Sequence, residues 1–337
     1  MDPARSMRAV MVEAPGPPDV LKLTTAPIPE PGPGQVRLKV AYVGMNPLDA
    51  LVRRERLDWL PVSYPYTPGI EHSGIVDAVG VGVDTTLIGS RVLSRLGFGG
   101  YADYSLAGAR GLLRLPDSMD MKTGAAYRGC TATAWYALHA VGRVQPGDRV
   151  LIYSAAGAVG GMAMQIAADA GAYVCGLAGG PDKVAFARDI LSGRNGAVLD
   201  YLAPGWVEEA HAVAGPGGFD IILDGNGGAA AANNIALIGV LGRIIYIGAT
   251  SGAQAPSVPP SLLIGKSFSV AGFSLRSVEA RLNRVADPII EREVTAGRWR
   301  PPISEIAPLA DVAALHARLE ARQVKGRALI EVNGEIG

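Results

Sequence analysis

Cysteine is almost missing from this chain. Cys130 and Cys175 are the only two in 337 residues, and they form no CxxC pair. A disulfide framework and a cysteine-rich metal lobe are thereby excluded, and a reducing, cytoplasmic setting is the expectation. Net charge is missing as well: Lys plus Arg and Asp plus Glu are 31 each, with a pI near 6.9. No long-range field therefore gathers nucleic acid or an anionic membrane surface, and any partner is recognised locally, as a small molecule would be. The opening residues, MDPARSMRAV, lack the apolar centre of a signal peptide and run straight into a strand pattern, with Met7 as an alternative start. One uncharged run, Val150 to Ala168, has the length of a membrane span, but Gly157, Gly160 and Gly161 and a change of period midway exclude that reading.

What the chain has is glycine, proline and two textures. At 337 residues it exceeds the size at which one core usually serves, so two domains are expected. From residue 7 to about 125, short apolar runs alternate with Gly/Pro punctuation, as in PIPEPGPGQVRLKVAYVG and GIEHSGIVDAVGVGV, which reads as a β-rich, barrel-like unit. Beyond that point strand and helix alternate. DRVLIYSA is followed by a helix from Val159, AYVCGLAG by one from Asp182, AVLDY by one from Trp206, FDIILDGNG by one from Ala229, then GRIIYIGA and SFSVAGFS. Such alternation builds a parallel sheet covered on both faces. After Phe273 come a polar helical pattern to about Arg298, the helical stretch PLADVAALHARLEAR and a last strand, RALIEV; AQAPSVPP, residues 253 to 260, reads as a surface loop.

The segment SAAGAVGG, residues 154 to 161, sits where the strand RVLIYSA meets a helix whose Val159, Met162, Ala163, Ile166, Ala167 and Ala170 share one face. At such a junction the free N–H groups and the helix dipole face a ligand. Gly157 there lets a pyrophosphate approach, and Gly160 lets strand and helix pack closely. A ligand-free crossing of small residues would look the same on these letters alone; the surrounding βαβ context favours the cradle. The next strand lacks the carboxylate that would hold an NAD ribose: CGLAGGPDK supplies glycines and then Lys183, which suits a 2′-phosphate, while Asp182 reads as a helix N-terminal charge.

Taken together, MRAVMVEAPGPPDVLKL, PEPGPGQVRLKV, GMNPLD, PGIEHSGIVDAVGVGV, GGYADY, TAWYAL, AAGAVG, GRIIYIG and GRALIEV resemble the zinc-free medium-chain dehydrogenases/reductases of the quinone oxidoreductase, or zeta-crystallin-like, group. The resemblance covers nearly the whole chain. It implies an α/β fold with a GroES-like β-barrel domain, residues 1–126 and 276–337, and a doubly wound Rossmann domain, residues 127–275. It implies NADPH, held by Gly157, Ala158 and Val159 at the glycine turn, by Gly179, Lys183, Tyr201 and Arg322 around the 2′-phosphate, by Asn226, and by backbone groups of Ile247, Gly248 and Phe273 at the carboxamide. Asn46 and Thr133 match positions near the nicotinamide and its ribose, although turn-forming or helix-packing polarity accounts equally for these letters.

Zinc is disfavoured. The zinc-dependent relatives have a cysteine within the stretch that reads Gly44-Met45-Asn46 here and GHE where this chain has Gly69-Ile70-Glu71, so no metal ligand is assigned. His72 reads as a hydrogen-bonded strand histidine. Without a Lewis acid, the chemistry left is hydride delivery to an electron-poor acceptor, a quinone or an α,β-unsaturated carbonyl. The proton donor is open. Leu51 and Leu57 stand where relatives place tyrosines, which weakens the enoyl-thioester reductase alternative. Tyr64, Tyr66 and Tyr127 remain as candidates, each also readable as core or rim aromatics. The arginines of RRER, Arg53, Arg54 and Arg56, read as a solvated face. A non-catalytic, crystallin-like NADPH binder is a third reading, and a homodimer is the expected assembly.

Overall fold

The computed structural model describes residues 6–95, 97–228, 231–248, 257–282 and 284–336. The chain forms two compact units, Met1–Gly129 with Ile303–Gly337, and Cys130–Pro302.

The first unit is β-rich. In chain order it holds β1 (Ser6–Met11), β2 (Lys22–Pro27), β3 (Gln35–Gly44), α1 (Pro47–Arg53), β4 (Glu71–Val79), β5 (Arg91–Arg95), β6 (Tyr104–Gly108), β7 (Leu113–Arg114) and α2 (Met121–Ala126). Strand β3 organises it. Val36, Leu38 and Val40 alternate inward, as a half-buried antiparallel strand requires, and from Val40 onward every residue is buried. One edge of β3 pairs with β4; the other is shared, Gln35–Lys39 with β6 and Tyr42–Gly44 with the last strand of the chain.

Helix α3 (Arg128–Tyr136) carries the chain into the second unit, which continues with β8 (Arg149–Ile152), α4 (Ala158–Asp169), β9 (Tyr173–Ala178), α5 (Pro181–Leu191), β10 (Gly196–Asp200), α6 (Trp206–Ala214), β11 (Phe219–Asp224), α7 (Ala231–Leu237), β12 (Ile238–Tyr246), α8 (Pro260–Lys266), β13 (Ser269–Gly272), α9 (Leu275–Leu282) and α10 (Asp287–Thr295). The strands form a six-stranded sheet in the order β10-β9-β8-β11-β12-β13, and every neighbouring pair is parallel. This is the doubly wound arrangement expected, with the order reversing between β8 and β11. The near-continuous apolar runs of β8 and β11 follow from burial on both faces. Helix α4 differs from its one-face pattern: residues 160–167 are all buried, because a second layer covers the helix and Gln165 bonds the backbone of Arg300 in both directions.

The chain then returns to the first unit with β14 (Ile303–Pro308), α11 (Val312–Glu320) and β15 (Arg327–Glu331), which supplies the partner for the end of β3. The return at 302/303 differs from the expected 275/276. Residues 276–302 stay with the second unit because Ala286 N–H donates to the Tyr136 hydroxyl (3.2 Å), Trp299 Nε1 to Asp169 (2.8 Å) and Arg300 N–H to Gln165 (2.8 Å). The polar helical pattern after Phe273 is two helices rather than one. Residues 229 and 230, where the helix after β11 was expected to begin, and residues 253–256 of the expected loop lie outside the described residues.

Candidate functional site

In a parallel sheet all strand ends point one way, and ligands gather at the carboxyl edge where the strand order reverses. Six of the sequence-derived positions follow six successive strand ends of the second unit: Gly157 after β8, Gly179 after β9, Tyr201 after β10, Asn226 after β11, Ile247 after β12 and Phe273 after β13. The topology therefore collects them along one edge of that unit.

At the β8 end, Gly157 N-caps α4, with Ala158 and Val159 opening the helix. A side chain at Gly157 would meet only Ser154, its carbonyl oxygen at 3.1 Å, whereas one at Gly160 would run into the Ser154 carbonyl. The two glycines thus differ: Gly160 seals helix against strand, and Gly157 leaves more room. Ser154 itself takes a left-handed conformation, φ 54°, and its Oγ donates to Asn226 Oδ1 at 2.8 Å. Asn226 N–H and Gly227 N–H donate to the buried Asp224, which also accepts from Asn234 Nδ2 at 2.8 Å. Asp224 was not picked out from the sequence; its only signal was a carboxylate closing an apolar strand.

At the next corner, a side chain on Gly179 would lie 2.6 Å from the Tyr201 ring, so the missing Cβ is what lets the two meet. Lys183 stands half-buried in the first turn of α5, behind Pro181 and Asp182, which occupies the expected N-terminal position. The carboxylate at this corner, Asp200, is turned to the backbone: its Oδ1 accepts from Gly180 and Leu202 N–H, both at 2.9 Å. It was the second residue missed. At the far end, Ile247 N–H is spent on the Asp224 carbonyl and Phe273 N–H on that of Tyr246, both at 2.9 Å, so these residues have carbonyl oxygens to offer. Gly248 follows Ile247, close to Gly225. Thr133 is half-buried on α3.

In the first unit, Asn46 caps α1. Its Oδ1 accepts from Leu48 N–H (3.2 Å) while Asp49 Oδ2 accepts from Asn46 N–H (3.0 Å), a reciprocal capping box that leaves Nδ2 to offer a donor. Asp49 is buried, and its Oδ1 accepts from Gly69 and Ile70 N–H at 3.3 and 3.2 Å. Burial pushes its carboxyl up to about 6 against the pull of those N–H groups and of Arg327. Tyr127 closes α2 in the core, and Arg322 follows α11 in a left-handed conformation, φ 58°.

Tyr66 lies in the apolar core, 9% exposed, edge-on to Tyr64 and Phe98 with ring centroids 5.5 Å apart in each case, and its hydroxyl meets no partner. The RRER stretch needs a correction. Arg54 and Arg56 are exposed as expected, but Arg53 is 0% exposed, because its place at the last turn of α1 points it at Glu320 of α11.

A catalytic zinc does not fit these residues. Glu71 is ion-paired with Arg327 and accepts from Gly129 N–H, Ile70 is hydrocarbon, and His72 is buried against Ser105 Oγ at 2.7 Å, its ring held down to about 4 by burial. Among the described residues no three His, Cys, Asp or Glu side chains group as metal ligands, and no helix is long and apolar enough to cross a membrane.

Comparison with known proteins agrees with this architecture. Residues 32–117 match a model described as alcohol dehydrogenase GroES-like domain, and residues 158–291 one described as zinc-binding dehydrogenase. The quinone oxidoreductase of Sus scrofa is 32% identical over 330 residues, which span 96% of this chain and 97% of that protein. A mycobacterial protein solved in complex with NADPH superposes with a TM-score of 0.83 at 28% identity, covering 96% of this chain and 100% of that one. An NAD-dependent alcohol dehydrogenase does so with a TM-score of 0.85 at 30% identity, covering 97% and 100%. A near-full-length match at this identity, on a GroES-like unit joined to a doubly wound sheet, places the chain in the quinone oxidoreductase group of the medium-chain dehydrogenases/reductases.

Proposed function

We propose that this protein is an NADPH-dependent reductase of quinones or α,β-unsaturated carbonyls that works without zinc. The observation carrying the reading is the carboxyl edge of the second unit, where the Gly157 turn and the Gly179–Tyr201 corner stand on adjoining strands with Lys183 in the helix that follows. When bound, NADPH supplies a hydride. The chain's own part is to cradle the pyrophosphate on the N-terminus of α4 and meet the 2′-phosphate with Lys183 and Tyr201, Arg322 being assigned there too. Asn226, Thr133, Asn46 and the carbonyls of Ile247, Gly248 and Phe273 are assigned to the nicotinamide end. The commitment of Glu71 to Arg327 supports chemistry without a Lewis acid, and with it an acceptor that is already electron-poor.

The likeness to an NAD-dependent enzyme argues the other way on the cofactor, and calorimetry decides. Two charge-assisted hydrogen bonds to the 2′-phosphate, at roughly 1.5 kcal/mol or more each, favour NADPH over NADH by about a hundredfold. Lys183→Ala should weaken NADPH and leave NADH alone. Equal affinities in the unaltered protein overturn the cofactor assignment, and NADPH binding without oxidation across a quinone and enone panel overturns the enzyme reading.

We also infer a homodimer. Among the described residues strand β13 ends the sheet and pairs on one side only, and Val270 on it is exposed, as are Leu262 and Ile264 on the preceding helix. A second copy is the natural cover for such an edge.

A further inference from the structure

Where the strand order of the second unit reverses, the backbone changes neighbours within three residues. Tyr153 N–H donates to the Leu223 carbonyl of β11 at 3.0 Å, and Ala155 N–H to the Leu177 carbonyl of β9 at 2.9 Å. In a straight strand residues two apart point their N–H groups to the same side. Here they serve opposite sides, and Ser154 between them makes the change. It does so in the left-handed conformation, φ 54°, which is open to glycine and costs a residue with a side chain. Such a conformation persists where its surroundings enforce it, and such places cluster at ligand clamps and active sites.

A bond across the sheet holds this one. Ser154 Oγ donates to Asn226 Oδ1 at 2.8 Å and so joins the turn after β8 to the turn after β11. Asn226 is itself a fixed anchor. Its N–H and that of Gly227 donate to Asp224 Oδ1 at 2.8 and 2.9 Å, and the other oxygen of this fully buried carboxylate accepts from Asn234 Nδ2 at 2.8 Å. On the other side Ser154 shapes the entry to α4, since its carbonyl accepts from Gly157 N–H at 2.8 Å. One chain of bonds therefore runs from Asp224 through Asn226 and Ser154 to the residue that N-caps α4, all of it inside the second unit. A glycine at 154 would make the same turn without strain; what serine adds is the hydroxyl.

We propose that Ser154 and Asn226 are positioning residues for the dinucleotide turn: their bond sets Gly157, Ala158 and Val159 in the shape that receives the pyrophosphate before the cofactor arrives. The assignment rests on the reading of this edge as the NADPH site, and it gives Asn226 a task beyond the nicotinamide end, through its amide oxygen. A turn already ordered in the free protein spares the cofactor the cost of ordering it. The pair acts on the turn after β8, whereas the 2′-phosphate corner follows β9 and β10. It therefore strengthens NADPH and NADH alike, while Lys183 discriminates between them.

Ser154→Gly removes the hydroxyl and keeps the left-handed turn. It should leave the unfolding temperature near its starting value while calorimetry shows NADPH and NADH each weakened about tenfold, the worth of one well-made hydrogen bond. Asn226→Ala breaks the same bond from the other side. The double variant should bind no more weakly than Asn226→Ala alone, because the bond can be lost only once. With no nucleotide present, amide hydrogen exchange across residues 154–161 should quicken in both single variants. An affinity unchanged in Ser154→Gly, losses that add in the double variant, or a loss that follows a fall in unfolding temperature overturns the proposal. If the unaltered protein binds neither nucleotide, the cofactor reading falls, and exchange alone judges whether the bond holds the turn.

Discussion

Asp49 shows how much a single buried carboxyl can govern. It ties the start of α1 to the Gly69-Ile70 backbone through three N–H groups, yet burial outweighs them and lifts it to about 6, where a free aspartate titrates near 3.9. A carboxyl whose folded pKa is raised binds its proton more tightly in the folded than in the unfolded chain. Its contribution is therefore full below about pH 4 and lost as pH rises through about 6, an effect of roughly 3 kcal/mol. Denaturant titrations at pH 4 and pH 7 should show a larger fall for the unaltered protein than for Asp49→Asn; equal falls would show that folding leaves this carboxyl's pKa unshifted. The same residue illustrates what the letters conceal. NPLD announces a helix start, but that Asp49 would also hold Gly69 and Ile70 depends on a loop closure no local pattern encodes. RRER fails likewise: nothing in three neighbouring arginines tells which one the last turn of α1 will bury against Glu320.

At the scale of elements, strand ends were readable because period and punctuation are local properties. The junctions after β8, β9 and β11 brought Gly157, Gly179 and Asn226 to the carboxyl edge, and Gly157, Gly160 and Gly179 meet different surroundings there. The residues that shape those junctions, Asp200 and Asp224, were not readable, since their partners are backbone N–H groups across a turn. The division of labour is testable. Gly160→Ala drives a methyl group into the Ser154 carbonyl and should cost roughly 1 to 3 kcal/mol of stability. Gly157→Ala meets that oxygen only at 3.1 Å and should cost much less in stability while weakening NADPH binding. Thermal unfolding and calorimetry on the two variants separate the effects, and equal loss of stability would deny that Gly157 is kept for a ligand.

Across the whole molecule, the sequence exposes the two textures but not where the second one stops, because polar helices such as α9 and α10 carry no mark of which core they serve; Tyr136, Asp169 and Gln165 decide it through side-chain bonds to a segment over a hundred residues away. Nor do the letters distinguish an apolar residue meant for the interior from one meant for another chain. Ile264, on the helix before β13, is 77% exposed, and Val270, on β13 at one edge of the sheet, 39%. An edge of unpaired N–H and C=O groups with hydrocarbon around it invites strand pairing, and a twofold axis lets the same edge serve both copies. A lysine at either place puts charge where that pairing must exclude water. Ile264→Lys combined with Val270→Lys should therefore halve the mass seen by sedimentation without lowering the monomer's own unfolding temperature, since neither side chain belongs to the core. If the unaltered protein already sediments as a monomer, or the double variant remains dimeric, this edge is not the interface.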